Sequence, residues 1–315
     1  MKKDFRTTEE LAISITKAAS LQTAYTIRFL ADRDLMADAY KTYAYFRWVD
    51  DWIDQDSLQK DDRIAFVDRQ NALISDCTQG IRRQDMTAEE QMLADLIHRD
   101  EGSSERSERS EHSGLRSYIH NMMVVMAFDA GRRGRLISNS ELATYAHTLA
   151  VAITEAMHYF IGHNSSSPGG ETRYLAVTGA HITHMLRDTL EDNAAGYFNI
   201  PSEYLTASHI SPLDVGSDQY RDWVKDRVQL ARSYFKAGRD YMAQVESLRC
   251  RLAGYAYLAR FEAVLDLIER DDYLLRAQYR ECKTPAAGAR MSWSTLWSAI
   301  NEKPPQAKSG VLIIR

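Results

Sequence analysis

Two short acidic segments hold the residues whose types and spacing suit chemistry. The first reads Y-A-Y-F-R-W-V-D-D-W-I-D and places Tyr43, Arg47, Asp50 and Asp54 three or four residues apart. On a helix, that spacing brings the four side chains to one face. Carboxylates one turn apart repel each other by about 0.2–0.5 kcal/mol, so helix formation gives no reason for the pair. A bound cation would make the pair favourable; the alternative is an exposed face with local basic partners.

The second segment, H-I-T-H-M-L-R-D-T-L-E-D, repeats the pattern. His181, His184, Asp188 and Asp192 are spaced to share one helix face, with Arg187 beside them. Two acidic faces opposite each other would supply oxygen ligands for magnesium, which takes its remaining ligands from water and substrate phosphates. Such ions neutralise charge on a leaving diphosphate, and the arginine of each segment would donate to the same oxygens. The two segments therefore predict a magnesium and diphosphate site.

Helices must position these faces, because apolar residues recur at helical spacing along almost the whole chain. No run of strict alternation predicts a strand, so we expect an all-α protein with antiparallel helices around a central cavity. One domain is predicted over residues 1–302, with a mobile polar loop at 102–114 and a tail at 303–315. The predicted helices span approximately 8–30, 35–53, 63–75, 88–98, 115–130, 140–161, 171–193, 217–245 and 249–269.

Composition excludes several classes of protein. The net charge of −5 comes from acidic and basic residues mixed along the chain, which predicts no nucleic-acid partner. Cys77, Cys250 and Cys282 have no metal-ligand spacing and are expected to be reduced thiols. No segment approaches the ~20 apolar residues of a membrane span. We expect a cytoplasmic protein, with peripheral membrane contact left open and no indication of its oligomeric state.

The acidic segments resemble the motifs of a known family. Y-x3-R-x2-D-x3-D, from Tyr43 to Asp54, is similar to the first motif of the squalene/phytoene synthases. R-D-T-L-E-D, from Arg187 to Asp192, is similar to their second motif. Tyr145, in E-L-A-T-Y-A-H, resembles the family tyrosine that handles a proton or a carbocation. The resemblance implies the family's class I isoprenoid synthase fold, a helical bundle with a central active-site cavity.

The resemblance also implies a reaction. Two farnesyl or geranylgeranyl diphosphates would condense head to head through a cyclopropylcarbinyl diphosphate, with Mg²⁺ as cofactor, Mn²⁺ as its substitute and NADPH use left open. The alternatives are a class I terpene cyclase acting on one prenyl diphosphate, and a non-catalytic helical relative. The implied catalytic residues are Tyr43, Tyr145, Asp50 and Asp188; the substrate-binding residues are Arg47, Arg187, Tyr25 and His181; the metal ligands are Asp50, Asp54, Asp188, Asp192 and His184.

Several positions depart from the family pattern. His181 and His184 stand where the family has Gln and Asn, which suggests a changed metal preference, a general base, or hydrogen bonds to the cavity wall. Tyr197 and Asn199 stand where the family has Arg and Tyr, so we expect one diphosphate contact to be lost. The bulkier segment Ala150–Thr154 replaces small residues and is expected to narrow the product cavity.

Overall fold

The computed structural model describes residues 7–81, 83–101, 114–162 and 165–301, and these ranges contain helices and no strand. The all-α prediction is confirmed. The predicted mobile loop, apart from Gly114, and the predicted tail lie outside the described residues. The helices are α1 Thr8–Ala19, α2 Leu21–Leu30, α3 Met36–Ile53, α4 Lys60–Thr78, α5 Ala88–Glu101, α6 Gly114–Arg132, α7 Asn139–Phe160, α8 Thr172–Ala195, α9 Ser202–Ser208, α10 Asp218–Met242, α11 Leu248–Arg270 and α12 Pro285–Asn301, with a 3₁₀ turn at Arg280–Lys283.

The first predicted helix is in fact two helices. Ser20 has an extended backbone, with φ −154° and ψ 104°, and its hydroxyl accepts a hydrogen bond from the Thr23 amide at 3.2 Å. A serine that caps a helix in this way both ends α1 and begins α2. The uninterrupted helix predicted over 8–30 is therefore wrong at Ser20. Two further helices of the structure, α9 and α12, have no counterpart among the helices that the sequence pattern predicts.

The two aspartate-bearing helices are α3 and α8, and packing fixes both of them. The apolar face of α3 buries Tyr45 and Val49 and packs against α1, α5 and α6. Helix α8 packs against α7, α10 and α11. Gly238 of α10 lies so close to α8 that an added Cβ would meet the Ala176 Cβ at 2.6 Å. Both helices are therefore fixed in place by packing of their apolar faces, and their polar faces are available for a site.

A continuous apolar core links these helices and extends from α1 to α12. Among the described residues, no helix combines the length and hydrophobicity that crossing a bilayer requires.

Candidate active site

A cavity of about 930 Å³ lies between the polar faces of α3 and α8 and the C-terminal part of the chain. It brings together most of the site residues that the sequence predicts. Asp50 belongs to the same polar face of α3. Tyr145 and His181 are not among the residues that line the cavity, and their rings contact each other. The predicted residues that line the cavity are Arg47, Asp54, His184, Arg187, Asp188 and Asp192.

On α3, the aspartates crowd one another around Arg47. The Arg47 guanidinium donates to Asp50 Oδ2 at 3.2 Å and also to Asp51. Burial, together with the charge of Asp54, raises the pKa of Asp50 to about 7. Burial also raises the pKa of Asp54, although the Tyr197 hydroxyl, which donates to Asp54 Oδ1 at 3.1 Å, opposes this rise. Without a cation, Asp50 is therefore only partly ionised at neutral pH.

On α8, the two aspartates differ in their partners. The Arg187 guanidinium donates two hydrogen bonds of 2.6 Å to the Asp188 carboxylate, and His184 Nε2 lies 2.9 Å from Asp188 Oδ2. Burial raises the pKa of Asp188, but the bonds from Arg187 and His184 outweigh it and hold this pKa well below its usual range. Burial and the charge of Asp188 raise the pKa of Asp192 to about 7, while Asn199 donates to Asp192 Oδ2 at 2.8 Å.

Behind the cavity, Asp129 and Arg132 form a buried ion pair on α6. Arg132 Nε donates to Asp129 at 2.6 Å, and the Tyr145 hydroxyl donates to the same carboxylate at 3.0 Å. The Arg132 guanidinium lies 4.9 Å and 5.0 Å from the ring centroids of Tyr145 and Tyr197, and Nη1 donates to Asn199 at 2.9 Å. Neither Asp129 nor Arg132 is predicted from the sequence pattern. Their signal is a pair of opposite charges three residues apart at the end of an apolar helix.

His181 is buried between α7 and α8, with 6% of its surface exposed. Neither ring nitrogen has a hydrogen-bond partner within the described part of the chain, so the expected hydrogen bonds to the cavity wall are not seen. Its ring centroid lies 5.0 Å from that of Tyr145. Burial, together with His184 and Arg132, lowers the pKa of His181 to about 3, so this imidazole is neutral. His181 and His184 thus have different surroundings, because His184 lines the cavity.

The opposite wall of the cavity adds a cation that the sequence pattern does not identify. Arg260 of α11 lines the cavity together with Arg187, and burial and the charge of Arg187 lower the Arg260 pKa. Neighbouring guanidinium groups of this kind favour an anion between them. Tyr43 is partly buried against the core, and burial raises its pKa. Tyr25 is 59% exposed, stacks on Phe29, and is not among the residues lining the cavity.

The segment Ala150–Thr154, expected to narrow the product cavity, lies in α7 and is not among the residues that line the cavity described above. Ala150, Ala152 and Thr154 are buried between helices. The narrowing remains a prediction.

Comparison with known proteins places this chain in a family. A model of the squalene/phytoene synthase family matches residues 16–287. The chain belongs to this family. The chloroplastic phytoene synthase of Daucus carota is 30% identical over 96 residues, or 29% of this chain and 24% of its own. That of Narcissus pseudonarcissus is 28% identical over 131 residues, or 39% of this chain and 31% of its own. The matched region thus spans only a quarter to a third of these plant relatives.

Solved structures support the same fold. The squalene synthase HpnC from Alicyclobacillus acidocaldarius superposes with a TM-score of 0.64 at 17% identity, covering 85% of this chain and 95% of HpnC. A dehydrosqualene synthase solved with a ligand superposes with a TM-score of 0.67 at 13% identity, covering 92% and 95% of the two chains. At such low identity the likeness shows the fold alone. The isoprenoid synthase fold that the motifs predict is confirmed.

The donor set of this squalene/phytoene synthase family member fits a hard divalent cation. Among the residues that the structure describes, no three carboxylate, imidazole or thiol side chains converge into a complete metal cage. Magnesium requires none, since it usually keeps several waters and takes one or two carboxylates together with substrate phosphates. Asp50 and Asp192 are carboxylates whose raised pKa values show incompletely compensated charge. A cation between the helices would supply that compensation, and magnesium fits the oxygen ligands.

The crowding of carboxylates predicts a stability effect in the metal-free protein. The pKa of Asp50 is raised on folding, so the folded state binds this proton more tightly and loses stability as pH rises through about 7. In EDTA, Asp50→Asn should therefore raise the melting temperature at pH 8 by about 2–4 °C and flatten its decline between pH 5 and 8. Differential scanning calorimetry measures both quantities. Asp68→Asn, an exposed α4 control, should change neither; an equally steep decline in Asp50→Asn would contradict the prediction.

Proposed function

We propose that this chain is a magnesium-dependent prenyltransferase that condenses two molecules of farnesyl or geranylgeranyl diphosphate head to head and releases diphosphate. The observation that carries the proposal is the convergence of two aspartate-bearing helices and four arginines on one cavity, namely Arg47, Arg187, Arg260 and Arg280. Carboxylates alone would suit any hard cation. Carboxylates facing arginines suit a cation that is bound together with a multiply charged anion.

The arginines would bind and orient the diphosphate. The Arg187 guanidinium donates two parallel hydrogen bonds to Asp188, and Arg260 of α11 is close enough to Arg187 for their charges to repel each other. A diphosphate bound between the two guanidinium groups would relieve this repulsion. Magnesium, when bound by Asp50, Asp54, Asp188 and Asp192, supplies the positive charge that stabilises the leaving diphosphate. His184, as the partner of Asp188, would orient that carboxylate or bind the ion itself.

Tyr145 and His181 would act on the hydrocarbon side of the reaction. Burial and Asp129 hold the pKa of Tyr145 well above its usual value, so its hydroxyl stays protonated and its ring can stabilise a carbocation. His181 is a neutral imidazole beside that ring and would accept a proton from the carbocation that ends the reaction. Tyr43, next to Arg47 and Arg260, would contact the first prenyl chain. Peripheral membrane contact belongs to the same proposal, because the hydrocarbon product carries no charge.

Release of inorganic pyrophosphate tests the proposal. The protein is incubated with farnesyl or with geranylgeranyl diphosphate, and pyrophosphate is followed with Mg²⁺, with Mn²⁺ and with EDTA. We expect release with either cation and none in EDTA. Addition of NADPH followed by mass spectrometry shows whether the product becomes reduced. Absence of pyrophosphate release with every substrate and cation would overturn the proposal and favour a non-catalytic helical relative.

A further inference from the structure

The loop that follows α8 is tied down at both ends. Gly196 has φ 85°, a left-handed conformation that glycine adopts without strain, and its carbonyl accepts a hydrogen bond from the Gly134 amide at 2.8 Å. At the other end, the Ser202 amide donates to the Ile137 carbonyl at 2.8 Å. The residues between these two anchors therefore have little freedom, and their side chains can hold other groups in place.

Tyr197 and Asn199, inside this loop, reach one aspartate on each of the two helices. The Tyr197 hydroxyl donates to Asp54 Oδ1 at 3.1 Å, and Asn199 Nδ2 donates to Asp192 Oδ2 at 2.8 Å. The first contact joins residues 143 positions apart. A single loop thus contacts carboxylates of both predicted metal-binding motifs.

Arg132 fixes the direction of both donors. Its Nη1 donates to Asn199 Oδ1 at 2.9 Å, so the amide oxygen faces the guanidinium and the amide nitrogen must face Asp192. The same guanidinium lies 5.0 Å from the Tyr197 ring centroid, and Tyr197 is only 8% exposed. The hydroxyl of Tyr197 is therefore held towards Asp54 by packing on a buried charge.

We propose that Tyr197 and Asn199 are positioning residues for the metal-binding carboxylates of this chain, and this inference rests on the proposed function. Each donor engages one oxygen of its carboxylate and leaves the other oxygen free to bind a cation. By restricting both carboxylates from one anchored loop, the pair also sets the separation of the two helices across the cavity. At the positions where the resemblance implies an Arg and a Tyr, this chain thus has two donors that orient carboxylates.

Metal affinity measured without turnover tests this role. Mn²⁺ is titrated into the full chain in the presence of inorganic pyrophosphate, and bound Mn²⁺ is quantified by electron paramagnetic resonance. Partners that orient metal ligands typically contribute about 10–100-fold to affinity, so we expect Tyr197→Phe and Asn199→Ala each to weaken Mn²⁺ binding at least about tenfold. The matched controls Tyr204→Phe and Asn121→Ala remove a tyrosine hydroxyl and an amide outside the cavity and should leave affinity unchanged.

The outcomes separate this role from the proposed function. Wild-type affinity in Tyr197→Phe would overturn the positioning role, and this variant decides the matter even if Asn199→Ala fails to fold, because it removes one hydroxyl and keeps the ring over Arg132. A wild-type chain that binds Mn²⁺ but releases no pyrophosphate from any prenyl diphosphate would overturn the proposed function alone. A wild-type chain that binds no Mn²⁺ would overturn both.

Discussion

Asp188→Asn should lower the rate of pyrophosphate release from a prenyl diphosphate by about 10³-fold. Asp188 has the shortest contacts among the four aspartates proposed to bind magnesium: Arg187 donates two hydrogen bonds of 2.6 Å to it, and His184 Nε2 lies 2.9 Å away. Asparagine keeps the shape of the side chain but removes the negative charge that the proposed magnesium ion would bind. Removing one group that stabilises developing charge costs about 10²–10³ in rate, and here Arg187 also loses the partner that orients it.

Asp54→Asn should have a comparable effect from the other helix, because Asp54 lines the same cavity and is held by Tyr197. Initial rates of pyrophosphate release at saturating Mg²⁺ give the comparison. Asp68→Asn, on the exposed face of α4, is the matched control and should keep the wild-type rate. Wild-type rates in both Asp188→Asn and Asp54→Asn would show that the two motifs do not bind the reacting group.

Arg132→Met should have the largest effect on stability, a loss of about 3–5 kcal/mol in the free energy of unfolding. Arg132 is 5% exposed and pairs with Asp129 at 2.6 Å, so its removal leaves a buried carboxylate without its cation. Burial already raises the pKa of Asp129, and the variant will raise it further. Since a raised carboxylate pKa costs more stability as pH increases, the loss should be greater at pH 8 than at pH 5.

A second substitution isolates the buried charge as the cause. In the double variant Arg132→Met, Asp129→Asn, no uncompensated carboxylate remains, so we expect part of the lost stability to return. Urea unfolding of the wild type, both single variants and the double variant measures the coupling. Additive losses, with no recovery in the double variant, would show that Arg132 stabilises the fold through packing rather than through its charge.

Both acidic motifs could be predicted from the sequence because their residues are neighbours on one helix. Asp50 and Asp54, like Asp188 and Asp192, are four positions apart, and helical geometry alone places each pair on a common face. The all-α fold follows in the same way from apolar periodicity. Ser20 ends α1 without any change in the apolar pattern, so the break between α1 and α2 depends on a cap that the pattern does not reveal.

The supporting residues could not be predicted because their contacts are distant in sequence. Arg132 and Asn199 are 67 positions apart, and nothing local in either segment indicates that they meet. The same holds for Arg260, which reaches the cavity from α11. His181 and His184 share a helix face, but their different environments depend on where α7 covers α8. Spacing identifies which residues share a face, whereas packing decides which of them are buried.

The central claim, that the cavity joins two prenyl diphosphates, is tested most directly by isotope mixing. The protein is incubated with Mg²⁺ and an equal mixture of unlabelled and fully deuterated farnesyl diphosphate. Any diphosphate intermediate is dephosphorylated with a phosphatase, and the masses of the resulting alcohols and of the hydrocarbon products are measured by mass spectrometry. Head-to-head condensation predicts a product with the carbon count of two substrates, and the form with one light and one heavy half should be the most abundant. Products with the carbon count of one substrate, light or heavy and never mixed, would contradict the claim and identify a terpene cyclase.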